Sequence, residues 1–172
     1  WISPDAAFAS KLVVEFRPSV SVLLPQPAVE GLKTLYLRVF DRAGNASDLV
    51  DEAGTALPLR LVLDRTAPTD LAASARAMGE PTPDPLFTPT PQVALTLGAD
   101  DDYADLVSIR IANDAGFRGA TWQPFTAWQP WVLTAGDGPK SVHVQFRDAA
   151  GNEAPPLAVA LTLDTTPPGS PT

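Results

Sequence analysis

Gly31-Leu-Lys-Thr-Leu-Tyr-Leu-Arg-Val-Phe-Asp-Arg-Ala-Gly-Asn45 and Gly138-Pro-Lys-Ser-Val-His-Val-Gln-Phe-Arg-Asp-Ala-Ala-Gly-Asn152 are two versions of one passage, 107 residues apart. In each, apolar residues occupy every second position: Leu35, Leu37 and Val39 in the first, Val142, Val144 and Phe146 in the second. Ser141, His143 and Gln145 hold the opposite phase. A period of two is that of a strand buried on one face and wet on the other. Each passage closes on Asp-x-Ala-Gly-Asn, where Gly44 and Gly151 can take the positive φ of a tight turn and Asp41 and Asp148 can bond the turn's own amides. The strand should therefore double back as a hairpin. A second match sets Leu61-Val-Leu-Asp-Arg-Thr-Ala-Pro68 against Leu161-Thr-Leu-Asp-Thr-Thr-Pro-Pro168 at an offset of 100, so the first copy carries seven extra residues between the two matches. Leu59, Leu61 and Leu63 alternate here, as do Val159, Leu161 and Leu163. A repeat of roughly 100 residues is the length of one sandwich domain.

Upstream in the second copy, Val93-Ala-Leu-Thr-Leu97 and Val107-Ser-Ile-Arg-Ile111 alternate in the same way, joined by the acidic loop Asp100-Asp-Asp-Tyr-Ala-Asp105. Leu71 to Ala77 adds an edge strand, which gives about seven strands between residues 69 and 164. Trp122, Phe125, Trp128 and Trp131 follow in close order. A sandwich needs some of them as filling, with Trp128 the most exposed. The first copy does not reach back so far. Matching Phe8 to Phe117 sets Trp1-Ile-Ser-Pro-Asp5 against Arg110-Ile-Ala-Asn-Asp114, so the sequence enters inside its third strand, without counterparts of residues 71 to 97. The reading is all-β: tandem antiparallel β-sandwiches, a partial one over 1–65, a complete one over 66–168, and a linker over 169–172.

Composition agrees with that class. Of 172 residues 45% are apolar and the mean hydropathy is +0.03, enough for a core and too even for disorder. Nineteen Pro and eleven Gly against one Met favour short strands and turns over helices. A net charge of −8 repels phosphate backbones and anionic lipid, which argues against nucleic acid as a partner. Cysteine is absent, so no disulfide, thiolate nucleophile or Cys-based zinc site is available. Eukaryotic secreted sandwiches often carry a disulfide, so its absence tilts the source toward bacteria. No apolar run approaches the roughly 20 residues of a membrane span, and no basic, then apolar, export signal opens the chain.

Together, Ser108-Ile-Arg-Ile-Ala-Asn-Asp114 with Trp122-Gln-Pro-Phe125, Trp131-Val-Leu133 before Gly136-Asp-Gly-Pro-Lys140, Val144-Gln-Phe-Arg-Asp-Ala-Ala-Gly-Asn152 and Leu163-Asp-Thr-Thr-Pro-Pro168 resemble the immunoglobulin-like or fibronectin-III-like repeats found in tandem in large bacterial secreted and surface proteins. The resemblance covers nearly the whole chain. It implies a spacer or adhesive stalk module without catalytic residues, outside the cell or on its surface. The first copy departs from the pattern by its missing start and by its longer final hairpin, Ala46 to Pro58.

Asp100, Asp101, Asp102 and Asp105 are the candidate metal ligands, with calcium the candidate ion. Calcium takes six to eight oxygens and one short loop rarely supplies them, so a solvated acidic loop is the simpler reading. The resembling arrays place calcium near domain junctions, which would recruit Asp64 and Asp164. For Asp41, Asn45, Asp148 and Asn152, turn capping outweighs an oxygen site. His143 is the sole histidine, in the outward phase, and lacks the partners a metal or catalytic site requires. Asn45-Ala-Ser47 is a glycosylation sequon on a turn, a chance match in a bacterial chain. No phosphate loop, nucleophile elbow or acid–base pair is present, so nothing positive speaks for an enzyme.

The function expected is a non-enzymatic structural or adhesive spacer with short proline-rich joints, Arg65-Thr-Ala-Pro68 and Thr165-Thr-Pro-Pro168. Its partners would be neighbouring domains of the same polypeptide or of another protomer, or a surface ligand or glycan. The alternatives are a carbohydrate-binding accessory module of a secreted hydrolase, for which Trp122, Trp128 and Trp131 would have to be exposed, and a filament subunit assembled by strand complementation.

Overall fold

Where alternation is strict, strands form. The computed structural model describes residues 1–24, 28–48, 58–79, 86–103 and 105–169, and among these there are twelve strands and no helix. The chain divides into two compact units, Trp1–Arg65 and Thr66–Thr172.

In the first unit β1 (Ile2–Ser3), β2 (Gly31–Phe40), β3 (Ala46–Asp48) and β4 (Leu59–Leu63) make one antiparallel sheet around β2. β1 meets β2 with Ile2 opposite Leu37 and Ser3 opposite Tyr36. β3 and β4 pair with successive stretches of β2, Phe40 to Arg38 and Leu35 to Gly31. The expected turn joins β2 to β3: Gly44 has φ +87°, and Asp41 accepts from the Asn45 backbone N–H at 2.8 Å and from Asn45 Nδ2 at 2.7 Å. Of the longer hairpin Ala46 to Pro58, residues 49–57 lie outside the described residues. Among the described residues of this unit, Phe8 and Leu35 are the buried apolar side chains, whereas Val13, Phe16, Leu23, Val39, Leu59 and Val62 are exposed.

The second unit carries β5 (Thr69–Ala77), β6 (Phe87–Thr88), β7 (Gln92–Asp100), β8 (Leu106–Ala112), β9 (Gln123–Pro124), β10 (Trp128–Val132), β11 (Gly138–Asp148) and β12 (Leu157–Leu163). They form two sheets, β10-β7-β5 and β6-β12-β11-β8-β9, antiparallel except for the short pairing of β6 with β12. Val93, Leu95 and Leu97 of one sheet and Ile109, Ile111, Val142, Val144, Phe146, Leu161 and Leu163 of the other share one core. Each such side chain contributes roughly 1.5–3 kcal/mol by leaving water, which makes this sandwich-like pair of layers the stable body of the chain. Val159 packs half-buried against it. The side chain of Val107, expected to point inward, lies outside the described residues. Gln145 sits in the outward phase yet is buried, because its Nε2 donates to the Ala154 carbonyl at 2.8 Å as the chain folds back over it.

The outermost strands each carry an irregularity. β10 has Pro130 opposite Ala94, β5 is bulged between Thr69 and Ala72, and β6 and β9 are two residues long, β9 ending in Pro124.

Candidate functional site

The acidic loop begins where β7 ends. Asp100 is the last residue of that strand and is exposed, as are Asp102 and Asp105. Asp101 is half-buried and accepts the Tyr103 backbone N–H at 3.1 Å, so it closes its own turn. Among the described residues no three of these four carboxylates bring an oxygen within 4.8 Å of one another. By themselves they do not fit the oxygen cage of a calcium ion. Asp101 lies instead near Asp148, with carboxylate oxygens within 4.8 Å. Asp64, next after β4, is buried; Asp164, next after β12, is exposed and accepts the Thr166 N–H at 3.1 Å.

The other prominent carboxylates hold local backbone. Asp148 accepts the N–H groups of Gly151 at 2.7 Å and Asn152 at 2.9 Å, and Asn152 Nδ2 at 2.8 Å. Asp5 accepts from Ala9 and Ser10, at 3.0 and 3.2 Å. These backbone donors, first Ala9 and then Ser10, hold its carboxyl below the ordinary value of 3.8. The Asn45 side chain and then its backbone N–H do the same for Asp41. Asp137 is a residue that sequence reasoning passed over. It accepts from Thr165 Oγ1 at 2.8 Å, the Thr165 N–H at 3.2 Å and Thr166 Oγ1 at 3.1 Å, and these bonds, Thr165's hydroxyl foremost, lower its pKa. Glu30 does similar work in the first unit, accepting the Arg65 N–H at 2.9 Å. In both cases a carboxylate next to the first glycine of the long strand accepts from the second residue past the last strand. The signal was present as Glu30-Gly31 and Asp137-Gly138, but nothing local in it names a partner 28 to 35 residues away.

The tryptophans of the second unit divide by environment. Trp131 is half-buried, packs against the core and donates Nε1–H to Asn113 Oδ1 at 2.9 Å. Trp122 is half-buried, with two guanidinium groups over its ring, Arg110 at 4.8 Å and Arg147 at 4.4 Å from the ring centroid. Trp128 is the exposed one, at 50%. Among the described residues, Phe87 and Tyr103 are the other exposed aromatic rings of this unit. His143 is half-buried, 3.2 Å from Ser141 Oγ and edge-on to Phe117. In the sequon, the Asn45 amide nitrogen is already held by Asp41.

Phe117 and Phe8, which occupy matching positions in the two copies, also share an unusual backbone. Both are buried with positive φ, +51° and +55°, in a region that bulky side chains rarely enter. Asp5 and Asp114 lie three residues before them, and each carbonyl accepts the phenylalanine N–H, at 3.1 and 3.2 Å.

A concavity lies in the first unit. It is a groove of about 780 Å³ between β2, β4 and residues 13–24, floored by Leu35, Leu37 and Leu61 and flanked by Val13, Phe16 and Val20. Its charged neighbours are engaged: Arg17 Nη2 lies 2.8 Å from Glu15 Oε2, and the Arg38 guanidinium lies over the Phe8 ring at 4.5 Å. Compared with known proteins, the chain matches no family model and no curated protein.

Proposed function

We propose that the chain is a non-enzymatic structural segment of a large extracellular protein: two successive sandwiches of immunoglobulin or fibronectin-III type, the second complete and the first without its opening strands. The observation that carries this reading is the use made of the polar side chains. Asp5, Asp41, Asp114, Asp137 and Asp148, the groups best suited to meet a substrate or ion, bond the backbone of their own turns and exits. The matched geometry of the copies adds support. Ile2 faces Leu37 as Ile111 faces Val144, and Ser3 faces Tyr36 as Ala112 faces His143, which are the positions the alignment pairs. A spacer transmits tension, so its modules should yield all at once. Single-molecule pulling on the two ends of the chain is expected to show one cooperative event for the second unit, with a length gain on the order of 300 Å. Gradual extension without such an event would sink the proposal.

A further inference from the structure

In the second unit β10 is hydrogen-bonded along β7, with Trp131 opposite Val93 and Val132 opposite Gln92. The offset of 109 that sets Phe8 against Phe117 sets Ser19–Leu23 against Trp128–Val132. Side-chain exposure follows that match: Leu23 at 95% and Val132 at 58% point outward, while Val22 and Leu24 are half-buried like Trp131. Residues 13–24 nevertheless belong to no named strand. The floor differs in the same sense. Val144, Phe146 and Leu161 are buried under Val93, Leu95 and Leu97, whereas Val39 and Leu61, the counterparts of Phe146 and Leu161, are 45% and 37% exposed. The first unit thus has the rim and the floor of the second, with a groove along the line that β7 takes there.

We propose that this groove seats a strand of β7 type, accompanied by one of β5 type and supplied by the same polypeptide ahead of residue 1, with aliphatic side chains at alternate positions over Leu35, Leu37 and Leu61. The inference rests on reading the chain as successive copies of one sandwich. The volume alone would suit a small molecule, since such pockets run about 300–1,000 Å³. Recognition of one needs convergent polar groups, and the charged residues at this rim are engaged with one another or with Phe8. The long apolar floor and the unladdered rim suit an extended backbone. Supply by the same polypeptide follows from the order of the second unit, where β5 and β7 precede β8. A tethered strand also avoids the cost of association, about 4–15 kcal/mol for a separate molecule.

The test compares amide hydrogen exchange in the 172-residue chain and in the chain extended upstream, along its natural sequence, by a stretch as long as Thr66–Ile109. The extended chain is expected to sediment as a monomer and to protect residues 19–23 about 100-fold more than the shorter chain does. Aspartate substitutions at the alternating aliphatic positions of the added strand should abolish that gain. Equal exchange in both chains overturns the proposal. So does protection already present in the 172-residue chain, whether as a dimer whose second copy fills the groove or as a monomer that closes by itself. The pulling event of the second unit is unaffected by any of these results, so the two readings fail separately.

Discussion

Phe146 is the centre of the second unit: fully buried, paired across the sheet with Ile109 and 6.2 Å from the Phe125 ring. Phe146→Ala removes a large side chain from a fully buried site, and we expect a loss of roughly 3–5 kcal/mol in urea denaturation. A loss under about 1 kcal/mol would mean that the core is loosely packed. Asp137 answers to pH. Its carboxyl is held below the ordinary value of 3.8, so the ionised form is favoured in the folded state. The stability it adds is present above that value and disappears as pH falls through the lower, folded-state value. The melting temperature should accordingly exceed that of Asp137→Asn near neutral pH, and the gap should close as the pH falls through the lowered, folded-state value. A gap that is constant with pH would show that the charge takes no part.

At the scale of elements, Trp122 shows what a strand's outer face can hold. Arg110 and Arg147, on neighbouring strands β8 and β11, both lie against its ring, and Arg110 also reaches Gln145 Oε1 through Nε at 2.8 Å. Each cation–π contact is worth about 0.5–2 kcal/mol, so Trp122→Ala should destabilise the second unit by about 2 kcal/mol and Trp122→Phe by distinctly less. Equal effects would assign the loss to packing alone. This ladder was not legible in the sequence: period two tells which residues point outward, not which of them meet. The strands were legible for the same reason in reverse. Val93, Ile109, Val142 and Leu161 repeat their phase often enough that only one face of each strand can be dry. The shape of the acidic loop was not, because Asp100, Asp102 and Asp105 have no periodicity to restrict them. The capping of its own turn by Asp148 was legible in Asp-x-Ala-Gly-Asn, whereas the grip of Asp137 on Thr165 was not, because that partner lies 28 residues away.

At the scale of the molecule, the units differ in how much apolar surface they bury. Thr66–Thr172 contains the shared core of two sheets, and Trp1–Arg65 has two buried apolar side chains among its described residues. Expressed separately, residues 66–172 should give a single sharp thermal transition with a β-type circular dichroism spectrum, and residues 1–65 should give none, since half-covered aliphatic side chains forfeit energy comparable to a small domain's entire stability. A cooperative transition in the shorter piece would show that it closes its core unaided. The irregular outermost strands of the second unit carry a consequence for life in a crowd. In a concentrated solution any long, regular row of free amides and carbonyls is a template for fusion between molecules. Pro130 withholds a donor from β10, the bulge skews the row on β5, and β6 and β9 are too short to template anything. These edges therefore disfavour edge-to-edge pairing between two molecules of this unit.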